Sequence, residues 1–232
     1  MEPRPNECSI CEGSGFYRVD VPFEDPRFGK VILCECKAQE DAARLQRKSG
    51  LTENEKSIRL EKVYIINRRG TAEMVQACAE FLEGPNQMLT IWGSSGNAKT
   101  MALQAVVNEC LAKGLQAVYV TSFDLIAYIR SAFDHEKKVI DDNAFSRLRE
   151  FEEVPVLALD EFDKVRATDW VQEQLTDLID RRYRLALDGQ AGTLIAMNSN
   201  PNLQPDWIYS RLSDARNRIV YNQDNDLRPL LK

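Results

Sequence analysis

No run of eighteen apolar residues occurs in the 232-residue chain, so no segment reads as a membrane-spanning helix. The first ten residues, MEPRPNECSI, lack both a basic start and an apolar stretch. That excludes a secretory signal and leaves the cytoplasm as the default compartment. Internal repeats and low-complexity tracts are missing as well. So is a basic excess: the net charge is −6, and any nucleic-acid contact has to come from a local basic segment or an assembled surface. The single histidine, His135, lies in the polar run FDHEKK and reads as a solvated loop residue. Disulfides are not expected, because a cytoplasmic chain keeps its six cysteines reduced.

What is present divides the chain. Residues 1–36 are rich in Cys, Pro and Gly, without a long apolar period. Residues 37–70 turn polar and helical, with nine basic against five acidic side chains. From residue 71 onward, short apolar runs alternate with helical patterns. These features predict an N-terminal module (1–36), a basic helical linker (37–70) and an α/β body (71–232).

In the body, strands are expected at 88–92, 117–121, 154–159, 193–197 and 218–221. Helices are expected at 72–83, 99–113, 123–132, 142–152, 169–187 and 205–215. The runs VLAL and TLIAM are apolar without alternation, as in strands covered on both faces, so the sheet is predicted to be mostly parallel. Gly114 suits a left-handed helix end, while Thr168 and Gly189 mark the two ends of the 169–187 helix. Cys78 and Cys110 fall in helical patterns and read as buried thiols packing as small apolar groups.

The strongest motif is Gly93-Ser94-Ser95-Gly96-Asn97-Ala98-Lys99-Thr100, between the strand LTIW and a helix. A phosphate-binding loop needs this order, because its backbone N–H groups and the helix N-terminus surround the anion. Lys99 would reach the β- and γ-phosphates of ATP, and the Thr100 hydroxyl would complete a Mg²⁺ shell. Ala98 replaces the usual second glycine; it is expected to begin the helix with a helical φ, where a methyl group fits. The run VPVLALDEFDKV ends a buried strand in Asp160 and Glu161, on the ligand side of an open α/β sheet. Asp160 would hold Mg²⁺ through water, and Glu161 would polarise the attacking water as general base. TLIAMNSNP supplies Asn198 and Asn200, either of which could orient that water.

Over roughly residues 60–232 the chain resembles the DnaC/IstB-like helicase loaders of the AAA+ class. The resemblance rests on WGSSGNAKT, the LDEF strand end, LIDRRY, MNSNP and SRLSDARNRIV. The Gly-x-Ala-Lys loops of MCM helicases and MoxR-type ATPases are similar to the variant loop. The resemblance implies an AAA+ P-loop NTPase core on a mostly parallel five-stranded sheet, without a helical lid. It implies that Arg211 is an arginine finger reaching the ATP of a neighbouring subunit, and that Arg228 is the final arginine of the nucleotide site. It further implies a ring or spiral oligomer. The implied function is ATP-dependent loading or remodelling of a replicative helicase on single-stranded DNA, with the N-terminal region gripping the helicase. A transposition-helper ATPase and an ATP-switched, zinc-containing adaptor with little hydrolysis are the alternatives. Arg181 and Arg182 of DRRY read as surface charges and stay outside the predicted site.

Cys8-x-x-Cys11 and Cys34-x-Cys36 are two thiol pairs separated by a turn-rich stretch. That spacing suits one tetrahedral Zn²⁺, and Gly13 and Gly15 allow the tight knuckle after the first pair. A segment with so few large apolar residues needs such a staple to fold. Its position implies protein docking; a DNA-binding knuckle is the competing reading.

Overall fold

The structure, a computed structural model, describes residues 8–19, 21–23, 25, 28–34, 36–37, 49–64, 68–131, 144–166 and 168–226. The chain splits into two compact units, Met1–Lys48 and Ser49–Lys232. In the smaller unit, β1 (Phe16–Tyr17) pairs antiparallel with β2 (Ile32–Leu33). This short ladder brings the residues that follow Cys11 alongside those that precede Cys34, so the two thiol pairs meet at its base.

The larger unit is built on β3 (Met88–Gly93), β4 (Ala117–Thr121), β5 (Val156–Asp160), β6 (Gly192–Met197) and β7 (Arg218–Asn222). These form one parallel sheet in the order β4-β5-β6-β3-β7. Residues of β5 and β6 are buried along their whole length, which explains the absence of alternation in their sequences. The helices are α1 (Leu60–Tyr64), α2 (Arg69–Glu83), α3 (Lys99–Ala112), α4 (Ser122–Arg130), α5 (Ala144–Glu153), α6 (Asp169–Leu187) and α7 (Asp206–Leu212). Leu157, Leu159, Ile195 and Met197 form one core with Leu125, Ile129, Leu178 and Leu212 from α4, α6 and α7. Helices α2 and α3 stand outside that cluster and pack on other parts of the sheet, so both faces are covered. Because all strands run the same way, the loops after β3, β5 and β6 emerge at one edge of the sheet.

Helix ends follow local chemistry where the sequence allows it. Gly114 (φ 75°) lets the Leu115 N–H reach back to the Cys110 carbonyl, and Gly189 (φ 69°) does the same for Gln190 and Leu185. The Thr168 hydroxyl accepts from the Val171 N–H, capping α6. Cys78 and Cys110 are buried, as read from the sequence.

Three expectations change. Helix α2 begins at Arg69 rather than 72, because the Asp224 carboxylate accepts from the Thr71 N–H (2.7 Å) and Gly70 N–H (3.4 Å) and caps it from across the chain. Helix α7 ends at Leu212 rather than 215, where Asp214 is drawn to the Tyr183 hydroxyl and Arg216. The expected 37–70 linker is not separate throughout: residues 49–64 belong to the larger unit. The Gln104 and Asn108 side chains of α3 fasten Glu55 and Ile58, and the Tyr119 N–H donates to the Ser49 carbonyl. Residues 38–48, the first two of the expected 142–152 helix, His135 and Arg228 lie outside the described residues. Among the described residues, no helix is long and apolar enough to cross a membrane.

Candidate functional site

The three loops at the sheet edge enclose a cavity of about 410 Å³. The β3–α3 loop contributes Ser95 to Thr100, the end of β5 contributes Asp160, Glu161 and Lys164, and the end of β6 contributes Asn198. Gly93 and Ser94 precede this wall. Gly93 has φ 145°, and a Cβ there would lie 2.2 Å from the Asn222 carbonyl oxygen, so the close approach of β7 demands glycine. The Ser94 hydroxyl donates to the Asp224 carbonyl at 2.8 Å. Asn97 and Asn222 exchange side-chain to backbone hydrogen bonds at 3.0 and 2.9 Å, tying the loop to the last strand.

Lys99 is 7% exposed, and its Nζ donates to the carbonyls of Gly93 (2.8 Å) and Ser94 (2.7 Å) and to Asn97 Oδ1 (2.9 Å). All three ammonium protons therefore turn toward the loop that a phosphate group would occupy. Burial pulls its pKa down to about 8, against the opposing pull of Asp160 and Asp163.

Ala98 is not helical. It sits at φ 69°, ψ 13° as the N-cap residue of α3, in the left-handed region that its methyl group disfavours. The expectation of a helical φ fails because the loop must reverse direction before α3 can begin, which is the physical reason that glycine suits this position. Glu161 is also left-handed, at φ 53°. Two strained residues thus line one cavity, one at the end of the β3–α3 loop and one directly after β5.

Asp160 is 4% exposed. Its Oδ2 accepts from the Tyr119 hydroxyl at 2.9 Å and its Oδ1 from the Glu161 N–H at 2.8 Å. Glu161 Oε1 is paired with Lys164 Nζ at 2.5 Å. The Thr100 hydroxyl and the Asp160 carboxylate are hard oxygen donors lining one cavity with a phosphate-type loop, a donor set that fits Mg²⁺.

Of the two asparagines, Asn198 lines the cavity. Asn200 is instead a cap: its Oδ1 accepts from the Asn202 N–H at 3.1 Å and opens a short 3₁₀ turn. Asp163 holds the Asn198 turn in place, and sequence reasoning did not single it out. Its carboxylate accepts from the N–H groups of Asn198 (3.2 and 3.1 Å) and Ser199 (2.6 Å). Although burial pushes its pKa up, these hydrogen bonds hold it below the usual carboxylate value. The signal was available: DEFD carries a third acid two residues beyond Glu161, beside a strand end rich in N–H donors.

Arg211 does not line this cavity. Its guanidinium is bound to Asp180 Oδ1 on α6, at 2.9 and 3.2 Å. Arg182, read from the sequence as a surface charge, is fully buried. It donates to the carbonyls of Glu152, Val154, Pro155 and Gly192 and to the Thr193 hydroxyl. Strands β5 and β6 begin here, where the Gly192 N–H donates to the Pro155 carbonyl at 2.8 Å and the guanidinium adds donors for the carbonyls around it. Burial lowers the Arg182 pKa to about 10. Arg181 is exposed, as expected.

In the smaller unit, Cys8, Cys11, Cys34 and Cys36 place their Sγ atoms within 4.8 Å of one another. Cys8 and Cys34 are 3.6 Å apart and Cys11 and Cys36 3.4 Å. Thiolates on a tetrahedron of about 2.3 Å bonds stand about 3.8 Å apart, so the cluster fits one Zn²⁺. The Gly15 N–H points at Cys11 Sγ (3.3 Å), while the N–H groups of Cys11 and Ile10 bring the Cys8 thiol down to about 6.

No protein-family model matches the chain. Bacillus subtilis (strain 168) YqaM, an uncharacterized protein, is 27% identical over 169 residues, covering 65% of this chain and 50% of YqaM. Among solved structures, the replication initiator DnaA bound to AMPPCP and single-stranded DNA is similar with a TM-score of 0.61 and 20% identity. That match covers 72% of this chain and 50% of DnaA. The DnaC helicase loader is similar with a TM-score of 0.59 and 20% identity, over 74% of this chain and 100% of that one. The chain thus spans about half the length of YqaM and of DnaA. Together with the sheet order, these likenesses show the fold: an α/β core on a five-stranded parallel sheet, similar to those of DnaA and DnaC.

Proposed function

We propose that the larger unit binds ATP with Mg²⁺ and hydrolyses it, and that the chain uses this cycle to load or remodel a replicative DNA helicase on single-stranded DNA. The observation that carries the reading is the meeting of Lys99, Thr100, Asp160, Glu161 and Asn198 at one cavity, from three separate loops. In it, the loop N–H groups and Lys99 bind the phosphates, Glu161 takes the proton of the attacking water, and Asn198 orients that water. Mg²⁺ bound at Thr100 and Asp160 would neutralise charge on the polyphosphate. Arg211, and Arg228 beyond the described residues, would act on the nucleotide as the family resemblance implies, Arg211 across a subunit interface in a ring or spiral. The AMPPCP and single-stranded DNA of the DnaA structure and the loader role of DnaC support the nucleotide and the replication context.

The smaller unit would carry one Zn²⁺ and dock on the helicase. Residues 1–36 hold four basic and seven acidic side chains, which disfavours DNA. Phe23 (80% exposed), Ile10 and Val31 offer apolar contact instead.

A second reading, an ATP-switched adaptor with little hydrolysis, is favoured by one observation: the Lys164 ammonium engages the Glu161 carboxylate that would act as base. Steady-state ATP turnover with and without single-stranded DNA separates the two. The leading reading expects turnover that falls about 10²–10⁴-fold in Glu161→Gln while ATP binding is kept. ATP binding with equal, negligible turnover in both proteins selects the adaptor.

A further inference from the structure

Asp160 is held from a neighbouring strand by a residue that belongs to none of the nucleotide-binding motifs. Strands β4 and β5 are in register with Tyr119 opposite Ala158 and Thr121 opposite Asp160. Paired residues share a face, and so do residues two apart, which places Tyr119 diagonally across from Asp160. A diagonal of about 7–8 Å is too long for most side chains, but a tyrosine spans it. The hydroxyl meets Asp160 Oδ2 at 2.9 Å. The other oxygen takes the Glu161 N–H. Each carboxylate oxygen thus has one donor that fixes it, leaving its remaining lone pairs for the cavity.

We propose that Tyr119 is a positioning residue of the nucleotide site: its hydroxyl orients the buried Asp160 carboxylate and thereby sets the affinity of the nucleotide complex for a divalent cation. This inference rests on the ATP reading above. Groups that orient a metal-ligating carboxylate change cation affinity about 10–100-fold when they are removed. Tyr119 is itself anchored from outside the site. Its N–H donates to the Ser49 carbonyl at 2.7 Å, and a Cβ on Gly50 (φ 76°) would lie 2.0 Å from its carbonyl oxygen. The segment by which the chain enters the larger unit is therefore clamped onto the residue that holds Asp160.

The test uses the full chain, AMPPCP and Mn²⁺ as a spectroscopic probe. Tyr119→Phe should bind AMPPCP in EDTA as the wild type does, while Mn²⁺ binding to the AMPPCP complex weakens about tenfold or more. Asp160→Asn should weaken it too, and adding Tyr119→Phe to Asp160→Asn should change nothing further, because the hydroxyl acts through the carboxylate. Unchanged Mn²⁺ affinity in Tyr119→Phe overturns the proposal. So do additive losses in the double variant, or an equal loss of AMPPCP binding in EDTA, which would mark a merely structural tyrosine. If the wild type fails to bind AMPPCP, the ATP reading itself falls, and the Tyr119 proposal falls with it.

Discussion

In the smaller unit the buried positions among the described residues are Cys11, Gly15 and Cys34, while Phe16, Phe23, Phe28, Ile10 and Val31 face solvent. In the larger unit the buried positions are branched aliphatics such as Leu157, Leu159, Leu178 and Ile195, and they pack into one core. One unit is organised by sulfur, the other by hydrocarbon. A fold of the first kind stands or falls with its ligand. A fold of the second kind spreads its stability over many contacts and can keep strained or buried polar residues where its site needs them.

Removing the staple should give the largest effect. We expect about one Zn²⁺ per chain, and chelation should abolish structure in the smaller unit while the larger unit keeps its helices and strands. A structural zinc is worth about 10–16 kcal/mol in peptides of this kind, more than the whole stability of a typical domain. Elemental analysis followed by circular dichroism under chelation measures both halves of that contrast. Should the smaller unit survive chelation unchanged, the division into two folding principles is wrong.

Arg182 is the largest exception inside the hydrocarbon unit. Arg182→Met keeps most of the apolar stem and removes every donor that the guanidinium gives to the Glu152, Val154 and Gly192 carbonyls. Chemical denaturation should register a loss of about 3 kcal/mol or more in the larger unit, with the zinc content unaltered. A loss below about 0.5 kcal/mol would mean that the buried arginine is not what satisfies those carbonyls.

The smallest predicted effect is a gain. Ala98→Gly relieves a methyl group at φ 69° and should stabilise the larger unit by about 1 kcal/mol, seen as a higher denaturant midpoint with an unchanged slope. A decrease in stability would show that the left-handed conformation of Ala98 is not strained.

The same contrast explains what could be read from the sequence. Continuous apolar runs announced β5 and β6, and the Gly93–Thr100 motif announced the glycine-containing turn between β3 and α3, because both signals are local. The φ of Ala98 was hidden, since it is imposed by the reversal of the whole loop. Arg182 left a signal that was passed over: Val171, Leu175, Leu178, Arg182 and Ala186 recur at helical spacing, so the arginine lies on the apolar stripe of α6. The α2 cap could not be seen, because Asp224 is 153 residues from Thr71. Choosing Asn198 over Asn200 required knowing which of them lines the cavity and which opens the following turn. The reach of Tyr119 to Asp160 exists only once β4 and β5 are paired in their actual register.

The central claim is that Lys99 and its loop bind the phosphates of ATP, and calorimetric titration of ATP into the wild type and Lys99→Ala tests it most directly. Phosphate binding favours the charged lysine, whose pKa before binding is about 8. Wild-type affinity should therefore hold steady below about pH 8 and fall as the pH rises through it, with proton uptake on binding near that value. Lys99→Ala should retain its fold and lose measurable ATP binding together with that pH dependence. Tight ATP binding by a well-folded Lys99→Ala protein would contradict the account.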